Sequence, residues 1–507
     1  MVCGLDIGTS SSKAVLVDGD GAVVASAAVE HRTKTPRPGF FEHDPERTWW
    51  AGVRSLLVSL RPRLSSVCGV CVSGIGPVVL LTDADGRPLR PAILYGIDTR
   101  AEQEIAELTE RLGADRVAEV AGNPLTTQAV GPKLAWVRRH EPEVWARSRR
   151  LFQASSWVVH RLTGEYVMDR YSASAADPMY ALGERDWWED AWRECAPGLA
   201  RPRLLWPGER AGVLDARVAA ELGLPPGIPV LAGTVDALAE AYSVGVREPG
   251  DLMLMYGSTM FFIQHTAARV HHEGLWTYTA RATDGYSCAA GMATSGLVTN
   301  WLRELTGADY PTLLGEAGAA PAGSDGLVLL PYFAGERTPI ADPAASGVWI
   351  GLTLRHGRGH LYRSALEGVG YGVRHNLAAM ASAGAAPRRL LAVGGGATGD
   401  LWTQIVSDVT GYPQEIPTLN AGACYGDARL AADALGVDTA SWNPVRERRE
   451  PRQEYRDRYD ELYQVYRNGY RSLRPELHRL ARLRTHGATR TGEDATTRRT
   501  VFEATGE

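Results

Sequence analysis

Several features that mark particular classes of protein are missing from this 507-residue chain. Its six cysteines are too few to cross-link a chain of this length, which excludes a disulfide scaffold. Positive and negative side chains nearly balance, giving a net charge of −5, so we expect neither nucleic acid nor a membrane surface as a partner. The longest uncharged stretch, residues 64–82, contains three glycines and a proline, which indicates buried strand and turn instead of a membrane span.

The first residues do not have the pattern of a secretory signal. MVCGLDIGT lacks the basic start and the apolar stretch of such a signal, which predicts a cytoplasmic location. Apolar residues make up 44% and charged residues 22%, as is usual for folded globular proteins. At roughly 100–200 residues per domain, the length predicts about two to four domains.

Two short segments share one pattern of strand, small polar turn and strand. The first reads GLDI, GTSSS and KAVLV, and the second reads DLMLMY, GST and MFFIQ. Gly8 and Gly257 are 249 positions apart, close to half the chain, which favours two similar halves over a chance likeness of short strands. Strand-like runs alternate with helical stretches between them, so the predicted fold class is α/β.

Breaks in composition suggest where the halves meet. Residues 246–250, VREPG, separate an alanine-rich helical segment from the second hairpin, which predicts domains at residues 1–248 and 249–472. After about Leu473 the sequence becomes rich in Arg, Thr and Gly, so we expect residues 473–507 to form a disordered tail or an accessory segment.

A glycine-rich segment in the second half suggests a nucleotide site. The strand LLAV leads into Gly394-Gly395-Gly396, and a helix should follow, capped by Asp400 and stopped by Gly411. Bare glycine backbone and a helix start suit a phosphorylated ligand. No GxxxxGK[ST] motif occurs, so an ATP site would lack a P-loop. The glycines also fit GxGxxG, with Glu415 placed as a ribose acid, which leaves a dinucleotide site or a simple tight turn open.

Two carboxylates stand where strands end beside small residues. Asp6 interrupts the apolar strand before the first glycine turn, where burial costs several kcal/mol, on the order of the usual penalty, unless a cation or donors accompany it. Asp236 follows PVLAGT and opens an alanine-rich segment, where helix capping is a sufficient structural explanation.

Taken together, these motifs resemble those of the FGGY carbohydrate kinase family. The two hairpins match its phosphate motifs, residues 392–413 match its adenosine motif, and residues 36–50, 123–145, 160–166 and 329–352 resemble further family segments. The resemblance covers nearly the whole chain to about residue 470. It implies two actin-like, ribonuclease-H-like domains around a central cleft, with ATP and Mg²⁺ as cofactors and a sugar as the substrate. A homodimer is an expectation from the family alone.

The resemblance also assigns roles to single positions. Asp236 matches the catalytic base, and Asp6 matches the carboxylate that supports Mg-ATP, holding the metal through water. The positions that should bind ATP are Thr9, Ser10, Lys13, Gly257, Ser258, Thr259, Gly296, Asn300, Gly395, Gly396, Ala397 and Asp400.

The match weakens on the sugar side. Gly76 and Pro77 stand where xylulokinase-like members carry a Met-His pair and glycerol kinases an Arg-Glu pair. We expect Gly76, Pro77, Asp98 and Asp236 to contact the sugar, although Asp98 also fits a solvated loop. The predicted function is an ATP-dependent kinase of a small open-chain sugar, first a ketopentose such as xylulose. The alternatives are another sugar, a polyol or an aldonate, a nicotinamide-dependent oxidoreductase, or a non-catalytic sugar sensor.

Overall fold

The computed structural model describes residues 1–280, 285–420 and 422–488. The strands of the first half are β1 (Val2–Ile7), β2 (Ser11–Val17), β3 (Val23–Glu30), β4 (Glu42–His43), β5 (Val70–Gly74), β6 (Leu80–Thr82), β7 (Ala92–Ile93), β8 (Arg150–Phe152), β9 (Val167–Asp169), β10 (Tyr180–Ala181), β11 (Asp186–Trp187), β12 (Arg203–Leu205), β13 (Arg210–Val213) and β14 (Pro229–Leu231). Its α-helices are α1 (Ala51–Leu60), α2 (Glu102–Leu112), α3 (Ala114–Val120), α4 (Val130–His140), α5 (Pro142–Arg147), α6 (Ala154–Thr163), α7 (Arg170–Ser174), α8 (Glu189–Cys195), α9 (Ala216–Leu222) and α10 (Asp236–Ser243).

The second half repeats the mixture of strands and helices. Its strands are β15 (Asp251–Tyr256), β16 (Met260–Thr266), β17 (Trp276–Thr279), β18 (Tyr286–Met292), β19 (Val328–Leu330), β20 (Val348–Ile350), β21 (Arg389–Val393), β22 (Gln414–Pro417) and β23 (Val445–Arg449). Its α-helices are α11 (Gly296–Thr306), α12 (Tyr310–Ala319), α13 (Arg358–Ser382), α14 (Asp400–Thr410), α15 (Gly422–Ala434) and α16 (Arg456–Ala488). Among the described residues, no helix combines the length and the apolar character that a membrane span needs.

Each half is built on one large sheet with the same central arrangement. In the first sheet, β13-β14-β5-β1-β2-β3, strand β1 pairs antiparallel with β2 and parallel with β5. In the second, β17-β18-β16-β15-β21-β22-β23, strand β15 pairs antiparallel with β16 and parallel with β21. The two hairpins that the sequence predicts are therefore confirmed, and each occupies the centre of its sheet.

Helix α15 joins the two halves. It follows β22 in the chain but packs on β1, β5 and α10 of the first half. Glycine allows this close approach, because a Cβ at Gly426 would lie 1.8 Å from the carbonyl oxygen of Ala239, and one at Gly4 would lie 1.9 Å from that of Cys424. A helix of the second half thus supports the strand that carries Asp6.

Helix α16 corrects the expectation for the start of the tail. Residues 473–488 are helical, because the apolar spacing of Tyr466, Tyr470, Leu473 and Leu477 continues one face of the helix past residue 473. Leu477 is buried, and on the same helix His478 Nε2 lies 2.7 Å from Asp342 Oδ2. Residues 489–507 lie outside the described residues.

The helix after the glycine turn begins differently from the prediction. Its N-cap is Gly399, and the side chain of Asp400 caps nothing but pairs with Arg449. The predicted stop is confirmed, since Gly411 ends the helix in the left-handed conformation with φ +74°.

Candidate active site

The two carboxylates singled out in the sequence lie close enough to influence each other. Asp6 is near the end of β1, opposite Lys13 on β2 and Ser73 on β5. Burial raises the pKa of Asp6 to about 6, against the lowering effects of Lys13 and Ser73. Asp236 is the first residue of α10, and burial followed by the charge of Asp6 raises its pKa well above the ordinary value. Two acids therefore share one desolvated site.

The side chain of Asp236 has one hydrogen-bond partner in the described residues. Its Oδ1 accepts from the backbone N–H of Ala237 at 2.7 Å, while the N-cap position of the helix belongs to Val235. Helix capping, the structural alternative, therefore does not explain this carboxylate. One oxygen remains available to a ligand in front of the helix.

Two further acids near Asp6 escaped the sequence analysis. Asp427 on α15 is fully buried, and its Oδ2 accepts from the backbone N–H of Ser73 at 3.0 Å and from Ser73 Oγ at 2.5 Å. The pKa of Asp427 is raised well above the ordinary value, first by burial. Glu240 lies one helical turn beyond Asp236, and burial raises its pKa to about 7. An acid among the small residues of GACYGDARLAADA, which holds a second acid at Asp433, was the only signal for Asp427.

A cavity of about 200 Å³ opens in front of Asp236. Both halves of the chain contribute to its wall, which is mostly aromatic and aliphatic with a few polar groups. The lining residues are Thr9, Ile75, Gly76, Pro77, Tyr95, Gln128, Tyr171, Ala175, Val235, Asp236, Ala237, Met255, Thr259, Phe261, Trp276, Tyr278 and Arg337. Of the residues singled out in the sequence, the structure brings Thr9, Gly76, Pro77, Asp236 and Thr259 together here. The size suits one small sugar.

Asp98 is not part of this wall. Its carboxylate is buried in a bidentate ion pair with Arg100, whose Nη2 lies 2.7 Å from Oδ2, and it also accepts from the backbone N–H of Phe41 at 2.7 Å. These partners occupy both oxygens, so the structure assigns Asp98 to the loop framework. The sequence alone does not distinguish a local ion pair between Asp98 and Arg100 from a ligand site, because both use the same residue types.

Lys133 and Tyr95 illustrate what sequence reasoning missed on the sugar side. Lys133 Nζ, on α4, donates to the carbonyl oxygens of Leu94 at 2.7 Å and Tyr95 at 3.0 Å. Tyr95 lines the cavity, and its hydroxyl lies 3.1 Å from Thr9 Oγ1. The buried lysine thus positions a wall residue of the cavity. Lysine is scarce in this chain, and its presence here was the available signal.

The turn of the second hairpin is held by the start of α11. The N–H of Gly296 donates to the carbonyl oxygen of Gly257 at 3.0 Å, and the N–H groups of Ser295 and Leu297 donate to that of Ser258. A Cβ at Gly296 would lie 2.8 Å from the oxygen of Gly257, so glycine permits this contact. Asn300, one turn later, accepts a hydrogen bond from the hydroxyl of Tyr310.

The glycine turn after β21 lies directly against this second hairpin. Gly394 has φ +90°, and a Cβ there would lie 2.6 Å from the carbonyl oxygen of Tyr256. Its N–H donates to Asn420 Oδ1 at 3.0 Å. Nothing lies within 4 Å of a Cβ placed on Gly395, which leaves open space beside bare backbone. Ala397 is buried behind the turn, and Asp400 is exposed. The arrangement fits a nucleotide whose phosphates point toward the hairpin turns.

The residues also fit a magnesium ion that is bound mainly by phosphates and water. Among the described residues, no group of three His, Cys, Asp or Glu side chains is arranged to hold a metal. Mg²⁺ usually keeps several waters and uses one or two carboxylates beside substrate phosphates. Asp6, which lies two residues before the glycine of the first hairpin turn and acts electrostatically on Asp236, is suited to that role.

Comparison with known proteins agrees with this architecture. The model of the FGGY family of carbohydrate kinases matches in two parts, its N-terminal domain over residues 1–242 and its C-terminal domain over residues 252–435. The chain belongs to the FGGY family of carbohydrate kinases. It is accordingly an ATP-dependent sugar kinase with two actin-like, ribonuclease-H-like domains, and the oxidoreductase interpretation of the glycine turn is wrong. Glu415, the supposed ribose acid, pairs with Arg389.

Individual relatives include enzymes for two kinds of sugar. The chain is 31% identical to the xylulose kinase of Escherichia coli (strain K12) over 445 residues, which cover 86% of this chain and 91% of the relative. It is 27% identical to the gluconokinase of Bacillus subtilis (strain 168) over 85% of this chain and 87% of the relative. The crystal structure of xylulose kinase from Rhodospirillum rubrum superposes with a TM-score of 0.88 at 33% identity, covering 94% of this chain and 99% of that one.

Proposed function

We propose that this kinase phosphorylates a hydroxyl group of a small open-chain ketose, first of all a ketopentose such as xylulose. The observation that carries the proposal is the mostly uncharged cavity that ends on the free oxygen of Asp236. Its volume of about 200 Å³ suits one five- or six-carbon chain. The similarity to xylulose kinases over most of the chain supports the choice of sugar.

In this proposal Asp236 acts as the general base. Its carboxylate accepts the proton of the sugar hydroxyl that attacks the γ-phosphate, while the helix N–H of Ala237 holds the other oxygen. Because the pKa of Asp236 is raised by burial and by Asp6, nearby positive charge is needed to keep it ionised at neutral pH. Lys13, which faces Asp6 across the hairpin, lowers the pKa of Asp6, the neighbour whose charge acts on Asp236.

The remaining residues position the nucleotide. The backbone and hydroxyls of Thr9, Ser10, Ser258 and Thr259, together with Gly257, bind phosphate oxygens at the two hairpin turns. The adenosine moiety lies along Gly296, Asn300, Gly395, Gly396, Ala397 and Asp400. Mg²⁺, held by Asp6 through water, would neutralise phosphate charge. A homodimer and a cytoplasmic location stay predictions.

The test replaces Asp236 by Asn, which keeps the shape and the acceptor for Ala237 but removes the base. We expect kcat with xylulose and Mg-ATP to fall by about 10³-fold, while ATP affinity changes less than about twofold. Release of ADP over a panel of ketoses, polyols and aldonates measures the rate, and calorimetry measures binding.

Asp433→Asn is the control, because Asp433 is a partly exposed carboxyl group on α15 that pairs with Arg247 and does not line the cavity. We expect it to keep most of the activity. Full activity in Asp236→Asn, or an equal loss in both variants, would refute the assignment of the base.

A further inference from the structure

The cavity contains one positive charge that the proposed chemistry does not use. Asp236 and Arg337 are the two charged side chains among its lining residues. Asp236 comes from α10 of the first domain, and Arg337 comes from the loop that follows β19 in the second domain. The substrate would therefore lie between a carboxylate and a guanidinium group from the two sides of the cleft.

The guanidinium group of Arg337 is fixed in place by the second sheet. Its Nη2 donates to the carbonyl oxygen of Met292 at 2.8 Å. It lies over Gly291 of β18, where a Cβ would come within 3.0 Å of the guanidinium carbon. A glycine at this point of the strand is what leaves room for the side chain. Arg337 is thus built into the wall and is not a mobile surface residue.

Most of its hydrogen-bonding capacity is unused by the protein. A guanidinium group has five N–H donors, and Nε of Arg337 is buried without a partner. Within the described ranges, no carboxylate lies at ion-pair distance from it. Burying a cation without a counter-charge is costly, so the group is expected to find acceptors in a bound ligand.

The neighbouring acid does not neutralise this charge. Glu336 Oε1 accepts from the backbone N–H groups of Ala293 at 2.7 Å and Arg337 at 2.8 Å, which turns it toward the main chain. Burial raises the pKa of Glu336 to about 8, so it is largely protonated at pH 7. Within the described residues, the guanidinium group of Arg337 therefore lines the cavity without an ion-pair partner.

We propose that Arg337 binds the oxidised end of the substrate, the carbonyl oxygen of a ketose or the carboxylate of an aldonate, while the reacting hydroxyl meets Asp236. The inference rests on the proposed function and adds a positioning and specificity residue to it. An sp² oxygen accepts strongly from a guanidinium group, whereas the hydroxyl group of a polyol is a weaker acceptor. The enzyme should therefore prefer sugars that carry such an oxygen over the polyols of equal length.

The experiment compares xylulose, gluconate and xylitol in the wild type and in Arg337→Met. In the wild type we expect xylulose, gluconate or both to be phosphorylated with a much higher kcat/KM than xylitol. The variant should lose about 10- to 100-fold in kcat/KM for the oxidised sugar and little for xylitol, so that the preference collapses. Arg337→Lys, which keeps the charge but not the planar guanidinium group, should retain part of the preference for the oxidised sugar. The relative rates on xylulose and gluconate tell a carbonyl from a carboxylate.

Arg458→Met is the matched control, since Arg458 also donates to a backbone carbonyl, that of Ala322 at 2.8 Å, but lies away from the cavity. Its sugar preference should equal that of the wild type. Should Arg337→Met fail to fold, Arg337→Gln keeps a donor for the carbonyl oxygen of Met292 but removes the charge, and the preference for oxidised sugars is expected to weaken in the same direction.

Sugar binding in the inactive Asp236→Asn background separates this inference from the proposed function. If oxidised sugars bind better than xylitol only when Arg337 is present, the inference stands, even where no sugar is phosphorylated and the proposed function fails. If wild type and Arg337→Met show the same preference in binding and turnover, the inference is overturned while the kinase assignment remains.

Discussion

The two central hairpins share one topology but carry opposite chemistry. Counting back from the glycine of each turn, Asp6 of β1 corresponds to Met255 of β15. Across the ladder, Asp6 faces Lys13, and Met255 faces Phe261. The first hairpin therefore places opposite charges at facing positions beside further acids, whereas the second places two apolar side chains in the wall of the sugar cavity.

The two hairpins share one fold but contribute to different parts of the same reaction. Both hairpins offer a tight polar turn at the same point of the sheet, which suits phosphate binding in either domain. Charge is concentrated on the first, where α15 adds Asp427 and α10 adds Asp236 and Glu240. The second hairpin contributes an apolar part of the cavity wall, where the ring of Phe261 stacks on that of Trp276 with the ring centroids 6.2 Å apart. Substitutions at matching positions of the two hairpins should therefore affect different kinetic parameters, kcat for the first hairpin and the KM for the sugar for the second.

The largest effect is expected at the first of these matching positions. Asp6→Asn removes the carboxylate that holds Mg-ATP in our proposal, so kcat should fall by about 10²- to 10³-fold. Met255→Leu, the counterpart in the second hairpin, should change the KM for the sugar by only a few-fold. Steady-state kinetics with varied Mg-ATP and varied sugar measures both. Equal losses in the two variants would show that the hairpins are not divided in this way.

The next largest effect is expected at Lys13 and Phe261, which pair with Asp6 and Met255 across the two hairpins. Lys13 lowers the pKa of Asp6, so Lys13→Met should raise that pKa further and shift the acidic limb of the pH–rate profile to higher pH. At pH 7 the loss in kcat/KM should be about tenfold, shrinking as the pH rises. Phe261→Leu should raise the sugar KM and leave the limb in place. An unchanged acidic limb in Lys13→Met would contradict the proposed effect of Lys13 on the pKa of Asp6.

The smallest effect is on stability and tests the acid from α15. The folded-state pKa of Asp427 lies above its unfolded value, so the folded protein binds the additional proton. The free energy of unfolding therefore falls as the pH rises from about 4 through the folded-state pKa. Asp427→Asn should be more stable than the wild type at pH 8, by about 1 kcal/mol or more, and similar to it near pH 4.

Thermal unfolding at several pH values measures this difference. Asp433→Asn is a control on the same helix, because Asp433 is partly exposed and pairs with Arg247 outside the acid cluster. A wild-type advantage at pH 8 would mean that the hydrogen bonds of Ser73 to the carboxylate outweigh the cost of its burial.

Local patterns were readable wherever one segment supplied the whole signal. The hairpins, the glycine turn and the stop at Gly411 follow from turn chemistry within a few residues. Asp6 and Asp236 stood out because a carboxylate interrupts or ends an apolar strand. Asp98 and Arg100 gave an equally clear local signal, yet the structure uses it to build a loop.

What the sequence determined by itself was the family, the two halves and the acids that end the strands, because these depend on spacing along the chain. Only the tertiary structure decided which groups meet. Asp427 reaches Ser73 from 354 residues away, and Arg337 faces Asp236 across the cleft between the domains. Such contacts depend on how α15 crosses to the first sheet and on which strand carries a glycine at the point of contact. The cost of burying a charge shifts the pKa of each of these groups and makes a partner necessary. This cost depends on the folded surroundings of the group and not on a local sequence pattern.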